Sequence, residues 1–184
     1  MSDDDILTAT VAYDDGGIPL TGVLHWNAGQ SAARPGILLV HGGAGLDEHA
    51  RQQARRYARL AVLALARSGA PLAAAVSIHG SLATSAPAEP GAVRASVLVC
   101  HGAMDPHVPM DHVTAFADEM HRAGGARWQL IMYGGAQHGF THQHAVPGAM
   151  PGVAYDPAAD QGSFAATSGF LAEALAGGPV GEPG

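Results

Sequence analysis

Short, mostly apolar runs that alternate with helical patterns are the feature of this sequence that most restricts its fold. The runs cover residues 36–41, 73–79, 94–101 and 127–133. Continuous apolar strands are typical of a parallel sheet that is covered on both faces, and the apolar spacing over residues 111–123 predicts one of the covering helices. The sequence therefore predicts an α/β fold with a mostly parallel sheet and helices on the sheet faces.

Two further strands are expected before the first of these runs. Residues 6–13 and 19–26 have the composition of strands, and the Asp- and Gly-rich stretch between them, residues 14–17, is typical of a turn. We therefore expect the chain to open with a β-hairpin.

A single domain is expected over residues 1–176, because a chain of 184 residues is long enough to bury a core. The last element of this domain is expected to be a helix over residues 160–176. The Gly- and Pro-rich residues 177–184 are expected to form a flexible tail.

Charge and composition exclude several classes of protein. A formal net charge of −7, without a basic cluster, argues against binding to nucleic acid or to an anionic membrane surface. A single cysteine excludes an internal disulfide framework. The first residues lack a secretory signal pattern, and no apolar run approaches the roughly 20 residues that span a bilayer. We expect a cytoplasmic protein.

A carboxylate and a histidine follow two successive predicted strands. Asp105 comes after the run at 94–101, and His138 comes after the run at 127–133. Ligand sites of parallel sheets lie beyond the carboxyl ends of the strands, and acid followed by histidine is the later part of the order nucleophile, acid, histidine. In such a site the histidine takes a proton from the nucleophile and the acid holds the histidine in one tautomer. We predict Asp105 and His138 as a catalytic pair.

A Gly-rich turn follows the first apolar run, at residues 40–45. A backbone N–H after this strand is a usual member of an oxyanion hole, and glycine lets the backbone approach a substrate oxygen closely. We predict Gly43 as an oxyanion donor; the other interpretation is a plain strand-to-helix turn.

Several of these segments together resemble the dienelactone hydrolase family, which has the α/β-hydrolase fold. They are His-Gly-Ala-Met-Asp-Pro-His-Val-Pro at 101–109 and Gln-His-Gly-Phe-Thr-His at 137–142, with further similarity at 74–82 and 155–160. The resemblance implies hydrolysis of small carboxylic esters or lactones through a Cys or Ser nucleophile, without a metal or cofactor. Asp105 and His138 match the acid and the histidine of the family.

The sequence departs from the family near Leu60. The family has a strand, a Gly-x-Cys/Ser-x-Gly elbow and a helix before the segment that matches residues 60–70. Here a helical pattern over residues 47–67 runs straight into that segment, and the sequence contains no Gly-x-Ser/Cys-x-Gly. We expect a shortened sheet without two central strands, and the nucleophile is not identified.

Four side chains are candidates for a replacement nucleophile. Ser31 precedes a predicted strand and Ser68 ends a predicted helix, so neither has the position that a nucleophile needs. Cys100 lies inside an apolar run, which favours a buried structural thiol. Ser81 follows the strand at 73–79 on a strand-end loop and is the remaining candidate.

Three hypotheses about function follow. The first is a hydrolase of esters or lactones. The second is a non-catalytic remnant of the family that binds a small acid or a partner subunit. The third, drawn from the eleven histidines, is a metal-binding protein, although the resemblance implies no metal.

The long helix over residues 47–67 would also overhang the sheet and expose an apolar patch, which predicts self-association.

Overall fold

The computed structural model describes most of the chain outside a long segment before the parallel sheet. The described residues are 6–15, 18–27, 72–124, 127–145 and 148–176. The chain divides into two compact units, Met1–Arg59 and Leu60–Gly184.

The first unit contains the predicted hairpin. Strand β1 covers Ile6–Asp15 and strand β2 covers Ile18–Asn27. The two strands pair antiparallel, from Ile6 opposite Asn27 to Asp15 opposite Ile18. The hairpin is confirmed, but the expected turn at residues 14–17 is too long, because backbone pairing continues to Asp15 and leaves a two-residue connection, a common length for hairpins.

The second unit contains a three-stranded parallel sheet. Its strands are β3 (Ala74–Ile78), β4 (Ser96–Gly102) and β5 (Trp128–Tyr133), in the order β3-β4-β5. In the central strand β4, every residue from Val97 to Gly102 is buried. Uninterrupted burial explains the continuous apolar run of this strand, since neither face meets water.

A helix covers each face of this sheet. Helix α1 (Met110–Ala123) buries Val113, Phe116 and Met120 in one core with the β4 residues Val97 and Val99.

Helix α2 (Pro157–Ala176) contacts β3 and β4. Its Thr167 reaches Cys100 of β4, whose side chain points opposite to those of Val97 and Val99 because successive strand residues alternate between faces. The predicted α/β fold, with helices packed on a parallel sheet, is confirmed.

Helix α2 begins three residues earlier than expected because its first turn is capped. The Asp156 carboxylate accepts hydrogen bonds from the backbone N–H groups of Ala158 and Ala159, at 3.0 and 2.9 Å. Pro157 occupies the first helical position, where its missing N–H is harmless. The backbone N–H of Asp156 also donates to the carbonyl of Phe140 at 3.0 Å, which ties the start of α2 to the loop after β5.

Several predicted elements lie outside the described residues. They are the strand at 36–41, the helix at 47–67 with its junction near Leu60, and the tail at 177–184. In the part of the chain that the structure describes, no helix is long and apolar enough to cross a membrane.

Candidate active site

The structure brings Asp105 and His138 together at the carboxyl end of the parallel sheet. Nδ1 of His138 lies 2.8 Å from Oδ2 of Asp105. The Asp105 side chain is fully buried, whereas about a third of the His138 side chain (32%) is exposed. An ionised carboxylate can only accept a hydrogen bond, so Nδ1 carries the proton and Nε2 of the neutral ring is left as a proton acceptor.

The other oxygen of the Asp105 carboxylate is held by the backbone. Oδ1 accepts hydrogen bonds from the N–H groups of His107 at 2.8 Å and Val108 at 3.1 Å. The backbone N–H of Asp105 donates to the carbonyl of Gly102 at 3.0 Å, which closes the turn after β4. The carboxylate is therefore fixed in orientation before any substrate binds.

Gly102 lets the loops that carry the acid and the histidine approach each other. A Cβ atom at this position would lie 2.6 Å from the carbonyl oxygen of Ala136 and 2.7 Å from that of Gln137. The N–H of Met104 donates to the same Ala136 carbonyl at 2.9 Å. Because both obstacles are backbone atoms, no side-chain movement would make room, and only glycine fits.

The backbone of His138 is fixed on both sides. Its N–H donates to the Gly152 carbonyl at 3.0 Å, and its carbonyl accepts from the N–H of Ala154 at 3.2 Å. These bonds form a short parallel bridge between His138 and Val153. The residue that carries the imidazole is thus paired like a strand residue, although it lies in a loop.

Two other imidazole rings contact the ring of His138. The centroid of His79 lies 5.5 Å from that of His138, and the centroid of His107 lies 5.2 Å away, both edge-to-face. Nε2 of His79 shares a hydrogen bond with Oγ1 of Thr141 at 2.9 Å, and Nε2 of His107 donates to the Pro151 carbonyl at 3.0 Å.

Sequence reasoning missed both flanking histidines. The available signal was their position, since His79 ends a predicted strand and His107 follows Asp105 by two residues. Neither position indicates which way the ring points, so the contact with His138 could not be read from the chain.

Strand β4 carries two buried titratable groups, His101 and Cys100. Burial lowers the pKa of His101 below its ordinary value; the Asp105 carboxylate partly opposes this shift, and His138 adds to it. Burial raises the pKa of Cys100 to about 11, against hydrogen bonds from Tyr133 and Thr167 that lower it. The Cys100 thiol is fully buried and protonated at neutral pH, as expected for a strand residue inside an apolar run, and this state is typical of an unreactive thiol.

The candidate nucleophile and oxyanion donor are not joined to the pair by any described contact. Ser81 is exposed on the loop after β3, and no hydrogen bond links it to His138 among the residues with described positions. Gly43, Ser31 and Ser68 lie outside the described residues. Within the described ranges, no group of three or more His, Cys, Asp or Glu side chains is arranged to hold a metal ion.

Comparison with known proteins finds relatives of this chain in sequence and in structure. An uncharacterised protein of Caenorhabditis elegans is 42% identical over 72 residues, which are 39% of this chain and 45% of that protein, so the match spans less than half of the relative. The solved structure named m3DLH aligns with 92% of this chain and 99% of its own, at 28% identity and a TM-score of 0.83.

The crystal structure of a dienelactone hydrolase-like promiscuous phosphotriesterase from metagenomic libraries aligns with 92% of this chain and 98% of its own. Its identity is 27% and its TM-score is 0.79. The model of the dienelactone hydrolase family matches residues 57–175, which include all of the parallel sheet, helix α1 and all but the last residue of helix α2. The chain therefore belongs to the dienelactone hydrolase family, a family of hydrolases.

Proposed function

We propose that this chain hydrolyses small carboxylic esters or lactones by nucleophilic catalysis, with His138 as general base and Asp105 as the group that orients it. One observation carries the proposal. The Asp105 carboxylate holds Nδ1 of His138 at 2.8 Å while a third of the histidine side chain stays open to solvent, so Nε2 can meet a nucleophile.

The proposed reaction has two stages. A nucleophilic oxygen attacks the carbonyl carbon and its proton moves to Nε2 of His138; the intermediate then collapses, the ester C–O bond breaks, and the leaving oxygen takes that proton. Water next attacks the acyl group and gives a proton to Nε2 of His138; the bond between the acyl carbon and the nucleophilic oxygen then breaks, that oxygen takes the proton back from His138, and the carboxylic acid leaves. Asp105 stabilises the imidazolium in both stages. The backbone N–H of Gly43 is the proposed oxyanion donor.

Ser81 is the nucleophile that we propose to test first. Its support is positional: it is exposed and follows β3, which runs parallel to β4, and the loops after β4 and β5 carry Asp105 and His138. Parallel strands end at one edge of the sheet, so the three loops lie at the same edge.

The second candidate is a non-catalytic family member that binds a small acid or a partner subunit. One observation favours this candidate. Among the residues that the structure describes, no Ser hydroxyl or Cys thiol is hydrogen-bonded to His138. An active site without its nucleophile retains only the residual catalysis of the oxyanion hole and of substrate binding.

Hydrolysis of p-nitrophenyl acetate and of an aromatic lactone separates the two candidates. We expect turnover by the parent chain, and a loss of about 10³-fold or more in kcat/KM for both His138→Ala and Ser81→Ala. His121→Ala is the matched control, because His121 is exposed on α1 and outside the site. An aryl phosphotriester is a suitable third substrate, since one solved relative is described as a promiscuous phosphotriesterase.

The outcomes are distinct. Turnover that is lost in His138→Ala but kept in Ser81→Ala would support the hydrolase and place the nucleophile elsewhere in the chain. Equal background rates in the parent and in His138→Ala would contradict the hydrolase and favour the non-catalytic candidate.

A further inference from the structure

We propose that His79 is a positioning residue for His138: its ring holds the His138 imidazole in the plane in which Nδ1 faces Asp105 and Nε2 faces the open side. The effect on turnover rests on the proposed hydrolase function, whereas the effect on the imidazole itself does not.

The two rings are in direct contact at an angle that restricts rotation. Their centroids are 5.5 Å apart and their planes make an angle of 65°. His107 contacts the same imidazole at 5.2 Å and 68°. Rotation of His138 about its Cβ–Cγ bond would sweep its ring against its neighbours, so the packing favours the orientation that keeps Nδ1 on the carboxylate.

His79 is itself anchored to the loop that carries His138. Its Nε2 shares a hydrogen bond of 2.9 Å with Oγ1 of Thr141, and its ring packs edge-to-face on Phe140 with centroids 5.2 Å apart. Phe140 and Thr141 are both buried and follow His138 by two and three residues. Any shift of this loop therefore moves His79 together with the imidazole that it supports.

The backbone of His79 is held in a conformation that histidine rarely adopts. Its φ is +42°, and among the residues with described backbone it is the one other than glycine with a positive value. Glycine or asparagine would occupy this region more readily. Backbone strain of this kind is concentrated at functional sites, and here it turns the side chain at the end of β3 toward His138.

The experiment reads the tautomer of His138 by nitrogen NMR of the 15N-histidine-labelled full chain at alkaline pH, with His138→Ala to assign the signals. We expect the parent to show the form protonated at Nδ1. His79→Asn tolerates the positive φ but removes the ring, so we expect a mixture of the two tautomers. His79→Phe keeps a flat ring against His138 without the bond to Thr141, and we expect it to restore most of the parent tautomer. His121→Asn makes the same exchange on the exposed face of α1 and is expected to change nothing.

If His138 keeps one tautomer in folded His79→Asn, the proposal is wrong, whatever happens to turnover. Should His79→Asn fail to fold, Thr141→Val carries the test, with a smaller change in the same direction expected and an unchanged His138 signal overturning the proposal. In an active chain, His79→Asn is also expected to lower kcat about tenfold with little change in KM, because a misplaced base affects the reacting state and not binding. A parent without turnover contradicts the proposed function but leaves the NMR result decisive for His79.

Discussion

The loops after β3 and β4 leave neighbouring strands of one sheet and differ in what they contribute to the Asp105–His138 pair. After β4, the turn from Gly102 to Val108 is closed by its own backbone, and each oxygen of the Asp105 carboxylate has a partner. After β3, His79 is strained and Ser81 is exposed without a hydrogen bond to His138. The acid and the base are thus assembled in the folded chain, while the candidate nucleophile is not.

This difference indicates where selectivity for substrate would arise. A base with a fixed ring loses little entropy when it accepts a proton, so its contribution is present before substrate arrives. A nucleophile on an open loop must still come within about 3 Å of Nε2. On the proposed function, substrates that bring the Ser81 side chain toward Nε2 of His138 would react fastest.

The largest effect on turnover is expected from Asp105→Asn, which replaces the carboxylate that the loop after β4 presents to His138. The amide removes the negative charge that stabilises the imidazolium and fixes the tautomer, so we expect kcat/KM to fall by about 10³- to 10⁴-fold. The buried hydrogen bonds to Oδ1 and Oδ2 are also weakened, and the free energy of unfolding should fall by about 1–3 kcal/mol. Ester hydrolysis and urea unfolding measure the two effects.

Asp118→Asn is the control for this change, because Asp118 is exposed on α1 and is expected to alter stability by less than about 0.5 kcal/mol. Wild-type turnover in Asp105→Asn would show that the pair is not used in catalysis.

A somewhat smaller effect is expected from Gly102→Ala. The new Cβ would meet two backbone carbonyl oxygens at 2.6 and 2.7 Å, so the loops of Asp105 and His138 must separate. We expect the free energy of unfolding to fall by about 1–3 kcal/mol, and turnover to fall with it. Gly134→Ala is the matched control, since no atom lies within 4 Å of its Cβ position. Equal stability of the two variants would show that close approach at Gly102 is unimportant.

The smallest effect on stability is expected at Cys100. Its thiol is buried on β4, whereas Ser81 on the loop after β3 is exposed. Cys100→Ala should lower the free energy of unfolding by about 1–2 kcal/mol through lost packing and leave turnover unchanged. The native thiol should react with a thiol reagent only after unfolding. Rapid labelling of the native chain would mean that β4 opens more readily than its burial indicates.

The same thiol predicts a loss of stability at alkaline pH. Burial raises its pKa from 9.0 to about 11. Below pH 9.0 the Cys100 thiol keeps its proton in both the folded and the unfolded chain. Between pH 9.0 and about 11 the thiol loses its proton in the unfolded chain but keeps it in the folded chain. The free energy of unfolding therefore falls as pH rises through this window, by at most about 1.4 kcal/mol per pH unit. Cys100→Ala lacks this contribution, so its stability should decline less steeply than that of the parent over the same range.

Patterns along the chain were sufficient to predict the strands that the structure describes and the proximity of Asp105 and His138. The run at 94–101 predicts β4 because a strand covered on both faces is mostly apolar, and the observed strand is Ser96–Gly102. Asp105 and His138 were expected together because parallel strands end at one edge, and the structure places them 2.8 Å apart.

The surroundings of the pair could not be predicted in the same way. The contact of His79 with His138 depends on a positive φ that histidine does not signal, and a glycine or asparagine would have been expected at such a position. The need for glycine at position 102 depends on carbonyl oxygens 34 and 35 residues away in the chain, which are in contact only after folding.

The hydrogen bonds described for the Asp105–His138 pair all join residues between Gly102 and Ala154. A deletion or insertion upstream of β3 removes none of the residues that make these hydrogen bonds. In genetic terms, one contiguous segment of the gene encodes the acid, the base and the residues that hold them. The elbow of the family is encoded by a separate segment upstream. Descendants of such a gene can lose that stretch and still inherit a fully formed proton-transfer pair.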